Sequence, residues 1–199
     1  MNKELSVPLT STTAPATKLA AWQRTAGIVL VGSAFVAVCA HIALPLVFTP
    51  VPLTLQPFAV LVLGLLLGPR LAAATLAAYL AEGALGLPVF APSATIMGGM
   101  AHLFGPTGGY LLAYPAAAAL ISFLWRRSKR GFAAAALSAA AGDLFFLVCG
   151  GAWLAVLTHA SLQSTLGFAV WPFLPGDALK VAAAAGIAVG FQRLRRRSA

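Results

Sequence analysis

The sequence predicts an all-α membrane protein, a six-transmembrane-helix bundle with both termini cytoplasmic. Three observations carry that prediction. Of 199 residues, 60% are apolar and only 9% are charged, whereas soluble domains carry about 25% charged residues. The apolar residues fall into runs bounded by Pro, Gly or clustered charge, with a mean hydropathy of +0.92. The basic residues crowd onto alternate connections between those runs. A bilayer core about 30 Å thick asks for roughly 20 helical residues per span, so the chain has room for about six.

The elements follow in order. Residues 1–25 are polar, rich in Ser and Thr, and hold no apolar stretch; they read as a disordered cytoplasmic tail, not a secretory leader. The first span is expected over Ala26–Leu44, stopped by Pro45. Pro45, Pro50 and Pro52 then force extended backbone onto the next connection. A second helix is expected over Thr54–Gly68, closed by Gly68-Pro69-Arg70, and a third over Leu71–Leu85. Both are short for a bilayer, and short segments broken by Gly and Pro are found where a membrane site is lined. The stretch from Gly86 to Gly105 is uncharged and irregular, apolar enough to lie at membrane depth where protein covers it. A fourth helix is expected over Pro106–Trp125, a fifth over Phe132–Leu157, and a sixth from Pro172 or Pro175 to Phe191. The transmembrane domain is thus 26–192, and 193–199 is a basic cytoplasmic tail.

Orientation comes from charge. The connections 45–53, 86–105 and 158–172 carry no Lys or Arg, while twelve of the thirteen basic residues lie at the opposite ends of the runs. Lys and Arg stay on the cytoplasmic side of short loops. A net charge of +9 spread this way argues against nucleic acid, whose partners gather basic residues on one soluble face. Cys39 and Cys149 sit inside apolar runs and make neither a disulfide framework nor a metal site. His41, His102 and His159 are scattered, with no carboxylate or thiol at ligand spacing, and read as hydrogen-bonded or interfacial. Trp22, Trp125, Trp153 and Trp171 fit an interfacial belt. No metal and no cofactor are expected.

Four ionised residues fall at membrane depth: Glu82, Asp143, Asp177 and Lys180. Each costs about 2.5–3.5 kcal/mol on insertion scales at mid-span, so each needs a partner or a cavity. Asp177 and Lys180 are three apart and share a helical face. Two readings fit them: a structural ion pair at a helix start, or an acceptor and a donor offered to one ligand. Glu82 either reaches water or joins a site beside the 86–105 connection. Asp143 has no assigned partner. Thr54 and Gln56 open the second helix as caps, or as polar groups facing an outer cavity. The glycine-rich run Gly105–Tyr110 lacks the Gly-Lys-Ser/Thr ending of a phosphate loop, so the chain shows no ATPase motif. No nucleophile elbow accompanies His159 and Ser161, which argues against an enzyme.

Five segments recur together in one known family. They are Pro50-Val-Pro-Leu-Thr-Leu-Gln56, Gly64-Leu-Leu-Leu-Gly-Pro-Arg70, Gly86-Leu-Pro-Val-Phe90, Gly105-Pro-Thr-Gly-Gly-Tyr110 and Trp171-Pro-Phe-Leu-Pro-Gly-Asp-Ala-Leu-Lys180. Over residues 26–192 the chain resembles BioY, the biotin-specific substrate-binding (S) component of energy-coupling-factor (ECF) transporters. The resemblance implies a six-helix S-component fold and high-affinity capture of biotin near the outer face. It implies handover through a transmembrane coupling (T) component and paired ABC-type ATPases in the cell membrane. It places Asp177 and Lys180 on the substrate and makes Tyr79 and Glu82 candidates for the family's polar contact on the third helix. Ser33-x-x-x-Ala37 approximates the family's Ala-x-x-x-Ala coupling surface. Biotin's ureido group would suit the Asp and Lys pair, and its apolar ring and chain would suit Phe90 and Leu87. The alternative is a solitary or ion-coupled transporter of another small solute, with Glu82 and Asp143 relaying protons.

Overall fold

Every predicted apolar run is helical in the structure, a computed structural model that describes residues 14–92 and 98–197. The first helix, α1, spans Ala14–His41. Two short strands follow, β1 (Ala43–Leu44) and β2 (Leu53–Thr54), then α2 (Gln56–Leu66) and α3 (Pro69–Ala84). The single turn α4 (Met100–Leu103) precedes α5 (Gly108–Arg127) and α6 (Phe132–Thr158). The short α7 (Leu162–Ala169) leads into α8 (Leu174–Arg197). Four of these helices, α1, α5, α6 and α8, are long and apolar enough to cross a membrane. At 11 residues, α2 reaches only about 16 Å along its axis.

Three elements differ from expectation. The helix α1 starts at Ala14, so residues 14–25 are helical rather than a disordered tail. Hydropathy marks where lipid begins, whereas Ala-rich sequence with Pro15 in the first turn favours helix in water too. Residues 1–13 lie outside the described residues. At the other end α8 runs on to Arg197, so most of the basic tail forms its last turns, where cations suit the helix dipole; residues 198–199 lie outside the described residues. Within the connection 158–172, α7 forms behind an N-cap in which Ser161 Oγ accepts from the Ser164 amide. Its eight residues are too few to stand out as an apolar period. Residues 93–97 of the irregular 86–105 connection also lie outside the described residues.

The extended backbone that the prolines impose on 45–53 closes as an antiparallel pair, Ala43 opposite Thr54 and Leu44 opposite Leu53. Packing is tightest where α5 meets α6. A Cβ on Gly109 would collide with Trp153, and one on Gly150 with the Tyr110 ring. Two bare helix surfaces therefore let the backbones approach closely, and the Tyr110 ring lies across α6. Tyr79, Leu61, Leu76, Ile121, Phe146 and Leu154 fill the centre, each essentially without exposure. Outward faces are apolar as well, with Val31 and Val38 of α1 and Leu137 and Val148 of α6 exposed. In water such surfaces would be a liability. In lipid they are the expected exterior.

Candidate ligand-binding site

A cavity with about 530 Å³ of empty space lies where β2, the starts of α2, α5 and α8, and the middle of α6 converge. Its apolar wall comes from Val51, Pro52, Phe146, Leu147 and Phe173. Polar groups enter from Thr54 and Gln56, from His102 and Thr107, from Tyr110 and Tyr114, and from Asp177 with Lys180. The fold explains this assembly. Pro-rich backbone carries Val51, Pro52 and Thr54 over one side, while Pro57 in the first turn of α2 fixes where Gln56 stands.

The ion pair is the centre of the site. Lys180 Nζ lies 2.9 Å from Asp177 Oδ1, and the residues are 8% and 3% exposed. Their i,i+3 spacing on α8 brings the two heads together, and the Asp177 amide is bonded to the Phe173 carbonyl. Removing two charges from water costs several kcal/mol per ion, and a single contact repays this poorly. Each head keeps unused capacity: the ammonium has three donors and the carboxylate about four acceptor sites. One 2.9 Å bond satisfies a small part of that, and both residues line the cavity.

Gln56 is held by a relay. Its Nε2 donates to Tyr79 Oη at 3.0 Å, and that hydroxyl donates to the Val89 carbonyl at 3.0 Å. Gln56 lines the cavity, and its amide oxygen can only accept. Tyr79 itself is fully buried and does not line the cavity; it positions Gln56.

Two candidates stand elsewhere. Glu82 does not reach the cavity: its Oε1 accepts from Ser33 Oγ at 2.8 Å, joining α3 to α1. Phe90 packs edge-on against Tyr79 at 5.5 Å and stacks on His102 at 5.1 Å. It lines a separate pocket together with Leu87, Pro88 and His102. Ser33 is 2% exposed and engaged with Glu82, and Ala37 is half-buried against the core. Neither is an open docking face. The outward residues of α1 are instead Leu30, Val31, Ala34 and Val38.

His102 was missed as a site residue. It is 5% exposed, lines the cavity, and its Nδ1 has no hydrogen-bond partner among the described residues. Burial holds the imidazole below its ordinary range, which keeps the ring neutral with one donor and one acceptor nitrogen. Tyr110 and Tyr114 were missed too. The Tyr110 hydroxyl donates to the Ala169 carbonyl at 2.8 Å, fixing the end of α7 against the cavity. Asp143 of α6 is 6% exposed, and its Oδ1 has no partner among the described residues. It lies near enough to feel the charges of Asp177 and Lys180 without lining the cavity.

Residues 10–197 match the BioY family. The chain belongs to that family. A probable biotin transporter BioY of Pyrococcus horikoshii is 42% identical over 143 residues, covering 72% of this chain and 82% of that protein. The biotin transporter BioY of Thermotoga maritima is 35% identical over 162 residues, 81% of this chain and 92% of its own. Among solved structures, the S-component for biotin from an ECF-type ABC transporter superposes with a TM-score of 0.78 at 26% identity. That match covers 87% of this chain and 93% of the solved one. A BioY-family chain with four apolar helices of spanning length is a multi-pass membrane protein.

Proposed function

We propose that this BioY-family chain is the biotin-binding S component of an ECF transporter, capturing the vitamin at the outer face for ATP-driven uptake. The observation that carries this reading is the buried Asp177–Lys180 pair on the cavity wall, 2.9 Å apart. A ureido ring presents two N–H donors and one carbonyl acceptor. Asp177 accepts from the first, and Lys180 donates to the second. Gln56 Oε1 and His102 stand ready for the remaining polar edge. The thioether ring and valeryl chain lie against Phe146, Leu147 and Phe173. The start of α5 at Thr107 borders the same space, and a helix N-terminus favours a carboxylate. An analogue lacking the ureido group leaves buried polar atoms unpaired, at about 1–3 kcal/mol each.

In this reading α2 and α3 complete six spans with the four longer helices, and both termini are cytoplasmic, as the arginine-bearing ends of α1, α5 and α8 support. The chain carries no ATPase motif, so a T component and paired ABC-type ATPases supply the energy. Titrating ligand-stripped protein in detergent with biotin, dethiobiotin and thiamine tests the reading. Tight, stoichiometric heat with biotin, weaker heat with dethiobiotin and none with thiamine is expected. A folded sample silent toward biotin would overturn it.

A further inference from the structure

We infer that a second site, at the arginine-bearing end of the bundle, binds the phosphate group of an anionic phospholipid. A polar cleft with about 540 Å³ of empty space opens between the C-terminal ends of α2, α5 and α8. Arg126 and Arg130 border it from α5 and the turn that follows, and Arg195 from α8. Trp125 and Gln192 add side chains that can donate.

The three guanidinium groups have no acidic partner among the described residues, where the one ion pair is Asp177–Lys180. Sequence explains why. Of four acids in the chain, Glu82, Asp143 and Asp177 are all committed to other parts of the bundle, and Glu4 lies outside the described residues. Helix C-termini attract cations, each with about half a negative charge. Three such ends offset roughly half of the three arginine charges, and Arg127, Lys129, Arg193, Arg196 and Arg197 add to the surplus. One carbonyl of a lining residue is already engaged: Leu67 O accepts from Ser122 Oγ at 2.6 Å.

The geometry is built rather than diffuse. Arg126 lies across Gly68 at the α2–α3 turn, where a Cβ would come within 2.9 Å of its Nη2. Arg130 is held with φ of 54°, the left-handed region, a conformation that costs a non-glycine residue roughly 1–2 kcal/mol. Planar guanidinium forks pair bidentately with phosphate oxygens. Basic pockets between spans on the cytoplasmic side bind lipid head groups. With the termini cytoplasmic, as proposed above, the cleft sits at that level, and Leu65, Leu66 and Phe191 form its apolar flank, where an acyl chain can start. This inference stands apart from the biotin reading, because it uses none of the same residues.

The test compares the melting temperature of detergent-purified full-length protein in phosphatidylglycerol, in phosphatidylcholine with the same acyl chains, and in inorganic phosphate. Phosphatidylglycerol should raise it by about 5 °C more than phosphatidylcholine does. The triple variant Arg126→Gln/Arg130→Gln/Arg195→Gln should lose that difference. Arg127→Gln/Lys129→Gln/Arg197→Gln, with the same charge removed outside the cleft, should keep it. Arg195→Gln alone, at an exposed helix position, should already halve the effect if the triple variant folds poorly. Equal responses from the cleft and control variants would overturn the site. Stabilisation by inorganic phosphate equal to that by phosphatidylglycerol would overturn the lipid as its occupant.

Discussion

Replacing Lys180 with methionine separates the two jobs of the buried pair. The side chain keeps nearly the same length and loses only its charge and three donors. Asp177, 3% exposed, is then an unpaired carboxylate in a water-poor site, and breaking a buried pair in this way costs about 3–5 kcal/mol of stability. Binding should suffer separately. A hydrogen bond from a charged donor contributes about 1.5–3 kcal/mol, which at about 1.4 kcal/mol per tenfold weakens biotin roughly ten- to hundredfold. Calorimetry on ligand-stripped protein measures the second effect, and a thermal melt of the same sample measures the first. Adding Asp177→Asn removes the stranded charge. The double variant should therefore regain most of the lost melting temperature while staying as weak toward biotin as either single change. A Lys180→Met protein that melts like wild type and binds biotin within threefold of it would refute the reasoning, because neither the desolvation cost nor the ligand contact would then exist.

Other side chains give contrasting expectations. Tyr79→Phe removes the hydroxyl that holds Gln56 and satisfies Val89, so biotin affinity should fall about three- to tenfold although residue 79 does not border the cavity; unchanged affinity with normal folding would remove Tyr79 as a positioning residue. His102→Ala should weaken biotin by a similar factor in the same titration, whereas His102→Phe should restore packing on Phe90 without restoring affinity. Recovery by Phe would mean the ring acts only through shape. Ser33→Ala deprives Glu82 of its 2.8 Å partner and should lower the melting temperature by a few degrees with no change in biotin affinity. A large loss of affinity there would place Glu82 back in the site.

Much of this was legible because membrane folding uses few signals. Lipid demands long apolar runs, prolines stop them, and arginines mark one end; each predicted run became a helix. The departures share a cause. Hydropathy reports the solvent of a segment and not its backbone, so it missed the helix at 14–25, which leaves the apolar zone, and α7, which is too short for its period to register. The site divided along a similar line. Asp177, Lys180, Gln56 and Thr54 were visible because polar groups are rare in such a chain. His102 and Tyr110 were passed over because their roles depend on which helices meet, and sequence spacing carries no trace of that. Glu82 shows the converse: it was rare and therefore conspicuous, yet a serine 49 positions away in the chain satisfies it. Rarity finds the polar residues and packing decides which of them face a ligand.

That distinction bears on why we read the Asp177–Lys180 pair as part of a site rather than of a scaffold. A structural polar contact in this bundle closes on itself. Ser33 meets Glu82 and Ser122 meets Leu67, and neither pair lines the chamber that holds the α8 pair. The α8 pair does the reverse, spending two desolvated charges on one bond on the wall of a chamber. Around it, Gln56 has its nitrogen tied back to Tyr79, and His102 has a nitrogen with no partner among the described residues. Unmet hydrogen-bonding capacity at low exposure is destabilising wherever it occurs. Here it is gathered from α2, α4 and α8 onto one space, which is what a pocket needs when its affinity depends on completing those bonds with a single small molecule.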